Sequence, residues 1–514
     1  MDQTVRFIVI GIDIGTASAK GLAVDADGEI LALAQHPYLL AHPRENWAEQ
    51  DPEDYWRGLV AVVRECVAMC AQHGRGADEV RAVALSTQGD TLIVADEDGH
   101  PLAPAMSWMD RRSEAEHAEL LAETGPSFWY RHSGARLTAL SSACKIRWIA
   151  RNLPHLYSRL RRFCWAPDFL AHRLCGRFVI DTPSASWTPF GSPFERRWSR
   201  EVMQLLGVAA ESLPEIVESG TPIATLLPQA AAELGLSAET ILVAGAFDQS
   251  AAAHGAGAVA GLTSVLSCGT AWVLYGVSAA PIADEREMIP LCCHTRPTEW
   301  GMVLPFTGGA AYDWFNRTFP RDSAAGATDA HRAGAADSPA RAADGGRASV
   351  PPIFIPHLYG GLAPDWREQS RGSFLGLTMA HTWEDMRLAV MRGVAQEARR
   401  NVEAAAPLCG PIRALRLVGG AGKSDVWPQL IADVLARPVA VSPIIEAACY
   451  GAAKLAAGER AVSWQAPGDP REFTPAPERI EAQERLYARY LQFLEALWPV
   501  YAEGGAPPAC DQDS

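Results

Sequence analysis

Lysine is almost missing from this 514-residue chain, which has only Lys20, Lys145, Lys423 and Lys454. Its positive charge is therefore mostly arginine, which stays protonated and offers no useful titration. Also missing is any run approaching 18 uncharged apolar residues, so no membrane-spanning helix is expected. The opening "MDQTVRFIVIGIDIG" has an acid at position 2 and alternates like a strand, unlike a signal peptide. The eleven cysteines are an odd number, with no CxxC pair and no zinc-like spacing; "LCCHTRP" is the only local Cys/His cluster. A disulfide framework is thereby disfavoured, and reduced, buried thiols in the cytoplasm are expected. A formal net charge of −15 argues against nucleic acid or an anionic membrane surface as partner. Small anions are not excluded, because local donors can hold them.

What is present describes an ordinary globular protein: 48% hydrophobic and 20% charged residues, with a length that calls for two or more domains. "RFIVIGIDIG", "KGLAVDADGEILALAQ" and "VRAVALSTQGDTLIVADEDG" read as strands, the second with an Asp-Gly hairpin signal. "DPEDYWRGLVAVVRECVAMCAQHG" reads as an amphipathic helix capped by Asp51, with Pro52 at its first position. Strands followed by helices give the α/β class. "IDIGTASAKGLAV" from residue 12 is echoed by "LSCGTAWVLYGV" from residue 266, as a duplicated domain with two equivalent hairpins would produce. Residues 322–350, rich in Ala, Gly, Asp and Arg, read as a surface excursion, and the C-terminal tail as disordered.

Three stretches carry chemistry. "VAGAFDQSAAAHGAGAVAG" puts one acid, Asp248, among small residues: either a helix cap or a base with room for a substrate beside it. "DIGTASAK" places Asp13 at a strand end before a Gly-Thr-Ala-Ser turn. Gly15 allows amides to face phosphate oxygens, Thr16 and Ser18 add hydroxyls, Lys20 can approach a phosphate, and Asp13 suits Mg²⁺. A plain hairpin with an acid-capped turn explains the same residues. "LRLVGGAGKSDVW" imitates a P-loop, but the required first glycine falls on Leu417, inside a strand. A glycine-rich turn followed by a helix from about Asp425 remains, suited to a nucleotide.

These motifs, with "NWAEQDPEDYW", "SWMDRRS", "CKIRWIARN", "PDFLAHRLCGRFVIDTPSASWTPF", "FIPHLYGGLAPDW" and "RGSFLGLTMAHTWEDM", run in order from residue 8 to about 458. Together they resemble the FGGY carbohydrate kinases, most closely the xylulose kinase-like members. The resemblance implies two ribonuclease-H-like domains of the actin, hexokinase and heat-shock-70 superfamily, expected at 1–252 and 253–500, with a flexible tail at 501–514. ATP and sugar would meet in the cleft between them. It implies transfer of the γ-phosphoryl group of Mg·ATP to a hydroxyl, with Asp248 as catalytic base and Asp13 as the magnesium-associated acid. Gly15, Thr16, Ser18 and Lys20 match the first phosphate hairpin, Gly269 and Thr270 the second, and Gly419, Gly420 and Ser424 the adenosine loop. Gln88, Gly89, Asp90, Trp108, Asp110, Asp248 and Gln249 match the sugar pocket. Where glycerol kinases tend to carry Asn-Gln-Arg-Glu-Thr and xylulose kinases Gly-Gln-Met-His-Gly, this chain reads Thr87-Gln88-Gly89-Asp90-Thr91. Gly89 is expected to leave space for an acceptor at least as large as a pentose, and a ketopentose, xylulose first, is the expected substrate, with glycerol, a tetritol, ribulose or gluconate as the alternatives within the family. A cytoplasmic enzyme, alone or as a homodimer, is the expected form; a non-kinase ATPase of the superfamily is the remote alternative.

Overall fold

The computed structural model describes residues 7–320, 350–464 and 468–503. All but the last residue of the expected excursion at 322–350, and residues 504–514 of the expected tail, lie outside the described residues. The chain forms two compact units that are discontinuous in sequence. The first takes the described residues of Met1–Ala258, Val277–Met302 and Glu446–Asp469; the second takes those of Val259–Gly276, Val303–Ile445 and Pro470–Ser514. A single crossing near residue 252 is the sequence expectation, whereas the chain here returns to the first unit twice.

The first unit is organised by a six-stranded sheet. Its strands are β1 (Ile8–Ile14), β2 (Ser18–Asp25), β3 (Ile30–Pro37), β4 (Val80–Thr87), β5 (Pro222–Thr225) and β6 (Ile241–Phe247). They lie in the order β5-β6-β4-β1-β2-β3, with β1, β4 and β6 parallel and the others antiparallel to their neighbours. β1 is apolar along nearly its whole length because both its faces are covered. Ile8, Ile10, Ile12 and Ile14 join a core with Leu59, Val62 and Val63 of the helix Pro52–Gln72. Gly11, on the other face, meets the helix Ala447–Ala457 so closely that a Cβ there would lie 1.9 Å from the Cys449 carbonyl oxygen. As expected, Asp51 caps the helix Pro52–Gln72, accepting from the Glu53 N–H at 3.0 Å, and Gly28 turns the β2–β3 hairpin at φ +90°. A second core within this unit gathers Trp129, Ile146, Phe163, Trp165 and Phe190.

The second sheet has seven strands. Six are β7 (Thr263–Cys268), β8 (Ala271–Ser278), β9 (Trp300–Thr307), β10 (Ala414–Gly419), β11 (Val439–Val441) and β12 (Arg471–Phe473), in the order β12-β11-β10-β7-β8-β9. A short strand, Leu291–Cys293, pairs beyond β9. The order repeats that of the first sheet, with a central hairpin (β7–β8), two parallel neighbours (β10, β11) and an antiparallel edge. The Gly-Thr echo thus marks two equivalent hairpins. The ten described cysteines are all free and buried. Among the described residues no helix is long and apolar enough to cross a membrane.

Candidate active site

Because β1, β4 and β6 are parallel neighbours, their C-terminal ends line up: Asp13 pairs with Ser86, and Thr87 pairs with both Ile14 and Phe247. Ligands in open α/β sheets bind outside such ends. Asp13 Oδ1 accepts from Ser86 Oγ at 2.7 Å. Burial raises its carboxyl above the usual range, against the lowering effects of Ser86 and Lys20. One extra residue in β6, between Val243 and Ala246, forms a bulge, and Gly245 lies so close to β4 that a Cβ would sit 1.6 Å from the Leu85 oxygen. The strand then delivers Asp248 as the first residue of the helix Asp248–Gly255.

Asp248 does not cap that helix. Phe247 occupies the cap position, and no side chain there accepts a backbone N–H. Asp248 Oδ1 is enclosed without a hydrogen-bond partner, as are Gln249 Oε1 and Thr87 Oγ1 beside it in the fold. Burial, and then the charge of Asp13, push the Asp248 carboxyl up to about 7, with Gln249 opposing. A carboxylate tuned to neutral pH and short of a donor is suited to accept a proton from a ligand. The small residues around it serve close packing: a Cβ on Gly451 would lie 1.9 Å from the Ala251 oxygen, and one on Gly255 2.1 Å from the Ala447 oxygen.

The first hairpin turns through Gly15, whose N–H donates to the Ser18 oxygen at 3.1 Å. The amides of Thr16 and Ala17 have no partner among the described residues. Lys20 Nζ lies 2.7 Å from Glu446 Oε2, and Ser18 Oγ accepts from Gln35 Nε2. Thr16 joins a polar chain. Trp108 Nε1 donates to Thr16 Oγ1 at 2.9 Å, Thr16 Oγ1 donates to Gln88 Oε1 at 3.1 Å, and Gln88 Nε2 donates to Gln50 and Tyr55. Gln88 is therefore saturated within the protein, while Trp108 keeps 41% of its surface exposed. Asp90 takes a left-handed backbone (φ +48°), with its carboxylate accepting from the Ser142 N–H and the Trp165 indole. Asp110 is 0% exposed, and both its oxygens are taken by Arg112 and by the backbone amides of Ala48 and Arg112.

Gly89 departs from expectation. The space it opens is filled: a Cβ there would lie 2.2 Å from Trp187 Cδ1 and 2.7 Å from Phe247 Cε2. In the second unit, strand pairing of Cys268 with Gly419 brings the Gly269–Thr270 and Gly419–Gly420 turns together, and Gly419 adopts φ +97°. Ser424 Oγ accepts from the Val426 N–H at 3.1 Å. Leu417 sits inside β10, so no P-loop turn forms there. Sequence reasoning missed Gly309, whose Cβ would meet the Gly269 oxygen at 2.4 Å, along with Ser86, Glu446 and Trp187. The "TGG" after an apolar strand signals the first of these; nothing local signals the others.

Residues 8–255 match the N-terminal domain, and residues 264–459 the C-terminal domain, of the FGGY family of carbohydrate kinases. The chain belongs to that family. It is similar to the xylulose kinase of Escherichia coli K12, at 28% identity over 83% of this chain and 84% of that protein. It is equally similar to the gluconokinase of Bacillus subtilis 168, at 28% over 86% of both chains. The crystal structure of a xyloylose (xylulose) kinase from Brucella ovis matches with a TM-score of 0.86 and 26% identity, covering 96% of this chain and all of that one. The kinase is thus an ATP-dependent sugar kinase with the expected two-domain α/β fold, and its small-molecule partners are a sugar and ATP. The donor set at Asp13 also fits a hard divalent ion. Two carboxylates with raised pKa, one of them with an enclosed, unpartnered oxygen, would be relieved by a nearby cation.

Proposed function

We propose that this kinase transfers the γ-phosphoryl group of ATP to a ketopentose, D-xylulose + ATP giving D-xylulose 5-phosphate + ADP. The observation that carries the acceptor site is the group of enclosed, unpartnered oxygens on Asp248, Gln249 and Thr87. Two acceptor oxygens and one hydroxyl without partners call for a ligand rich in O–H groups, which a sugar supplies. Asp248 takes the proton of the attacking hydroxyl as that oxygen bonds to the γ-phosphorus. The bond from phosphorus to the bridging oxygen breaks, and ADP leaves with its electron pair. Trp108 covers carbon skeleton with its exposed face, held in place by Thr16. The free Thr16 and Ala17 amides serve phosphate oxygens, and the turns at Gly269–Thr270 and Gly419–Ser424 serve the nucleotide. Asp13 would hold magnesium, which when bound offsets the charge of the phosphates. Asp110 and Gln88 act by positioning Arg112 and Thr16.

A neutral acceptor is favoured over gluconate. Two cations next to the sugar-side residues are already committed: Lys145 is fully buried and donates to the Ser107 oxygen at 2.8 Å, and the Arg112 side chain is 3% exposed and paired with Asp110 and Glu49. A carboxylate acceptor would meet Asp248 without a free counter-charge from either. The cytoplasm, where thiols stay reduced, is the matching location. ADP release is measured over D-xylulose, D-ribulose, D-gluconate, glycerol and erythritol. D-xylulose should give the highest kcat/KM; a higher value for gluconate or glycerol removes the ketopentose reading. ATP turnover that is unchanged without any acceptor would favour an ATPase instead.

A further inference from the structure

We propose that Trp187 determines acceptor specificity, supplying from a distant segment the side chain that position 89 lacks; this rests on the acceptor site assigned above around Asp248. Gly89 is not a glycine for backbone reasons, since its φ is not in the left-handed region. It is a glycine because the Trp187 ring occupies its side-chain volume. A Cβ would fall 2.2 Å from Cδ1 and 2.6 Å from Nε1 of that ring.

Trp187 is held firmly. It ends the short helix Thr182–Trp187, which Asp181 caps by accepting from the Ser184 N–H at 2.7 Å and the Ser184 hydroxyl at 2.8 Å. Its indole stacks on Phe247 with centroids 4.7 Å apart and planes 15° apart, and Phe247 is joined by a peptide bond to Asp248. Phe247 is buried, whereas Trp187 keeps part of its surface exposed. Its Nε1–H has no hydrogen-bond partner among the described residues, while the indoles of Trp108 and Trp165 are committed to Thr16 and Asp90. The wall at Gly89 is therefore a flat apolar ring carrying one free donor, stacked on Phe247, the residue that precedes Asp248. Such a surface takes a neutral sugar or polyol that presents a C–H face with a carbonyl or hydroxyl oxygen at its edge.

The test uses the full-length enzyme and the same acceptor panel. Trp187→Phe keeps the wall and removes the donor; it should raise the acceptor KM about 3- to 10-fold. Trp187→Ala should raise it by about tenfold or more and blur the ranking of acceptors, with the KM for ATP within about twofold of wild type in both variants. Gly89→Met should lower the melting temperature, and Trp187→Gly in the same chain should restore it together with sugar KM, because the volume is exchanged between the two positions. The proposal is overturned if both Trp187 variants keep the wild-type acceptor KM and ranking within about twofold. If Trp187→Ala does not fold, Trp187→Phe decides by the same criterion. Should the wild-type enzyme prefer gluconate or glycerol, the ketopentose reading fails, while Trp187 is still scored on that preferred acceptor.

Discussion

Two aspartates of the first unit carry opposite assignments, and one measurement separates them. Asp248 has a carboxyl raised to about 7 by burial and by Asp13, and an oxygen with no donor. A carboxyl whose folded-state pKa lies above its ordinary 3.8 contributes stability that is fully present below 3.8 and lost as pH rises through about 7. At pH 8, Asp248→Asn should therefore melt later, by an amount on the order of 1–3 kcal/mol after allowance for its partial exposure. The same variant should lose about 10²–10⁴ of kcat while binding ATP as wild type does. Kinetics and thermal melts at two pH values check both halves. In the wild type, kcat/KM should rise with pH through about 7, and bound magnesium should move that midpoint down; a flat profile from pH 5.5 to 8.5 would contradict the assignment. Asp110→Asn should do the reverse, leaving the buried Arg112 with Glu49 as its remaining ion-pair partner at a cost of about 1–3 kcal/mol. The resemblance made Asp248 the base and put Asp110 in the sugar pocket, but it could not show that the oxygens of Asp110 are all taken within the protein. Asp110 is saturated by a residue two positions away whose side-chain direction no pattern reports. Gly89 misled for a related reason: absence of a side chain reads as space until the ring that fills it, from a distant segment, is seen.

Strands, hairpins and the Asp51 cap were legible because their signals are local: alternation, an Asp-Gly turn, an acid before a proline. Contacts between elements were not. Thr16 is recognisable as a turn residue, yet its hydroxyl links the phosphate hairpin to Trp108 and Gln88. Thr16→Val, which keeps the shape and removes that link, should raise KM for both sugar and ATP by several-fold in steady-state kinetics. A change confined to one substrate would argue against the link. Likewise the helices Asp248–Gly255 and Ala447–Ala457 meet backbone to backbone at Gly255 and Gly451. Gly451→Ala must push the pair apart, with an expected loss of about 1–3 kcal/mol in denaturant melts. It should also lower kcat, because the displaced helix begins at Asp248.

The whole molecule repeats one sheet order twice, and the Gly-Thr echo half a chain apart announced that repetition. The return of 446–469 to the first unit was not announced. It depends on small residues in "AACYGAAKLAA", which look like any alanine-rich helix until they are set against Gly11 and Gly255. A fragment ending at Ala258 lacks that cover on β1, so circular dichroism should show no cooperative melt for it; a sharp transition like that of the full chain would disprove the dependence. For a ribosome the same arrangement is a delay. Some 200 residues separate Ala258 from Asp469, on the order of 10–40 s of synthesis. For that interval the nascent first unit holds one side of its central strand uncovered, and it is a client for chaperones well before it is an enzyme.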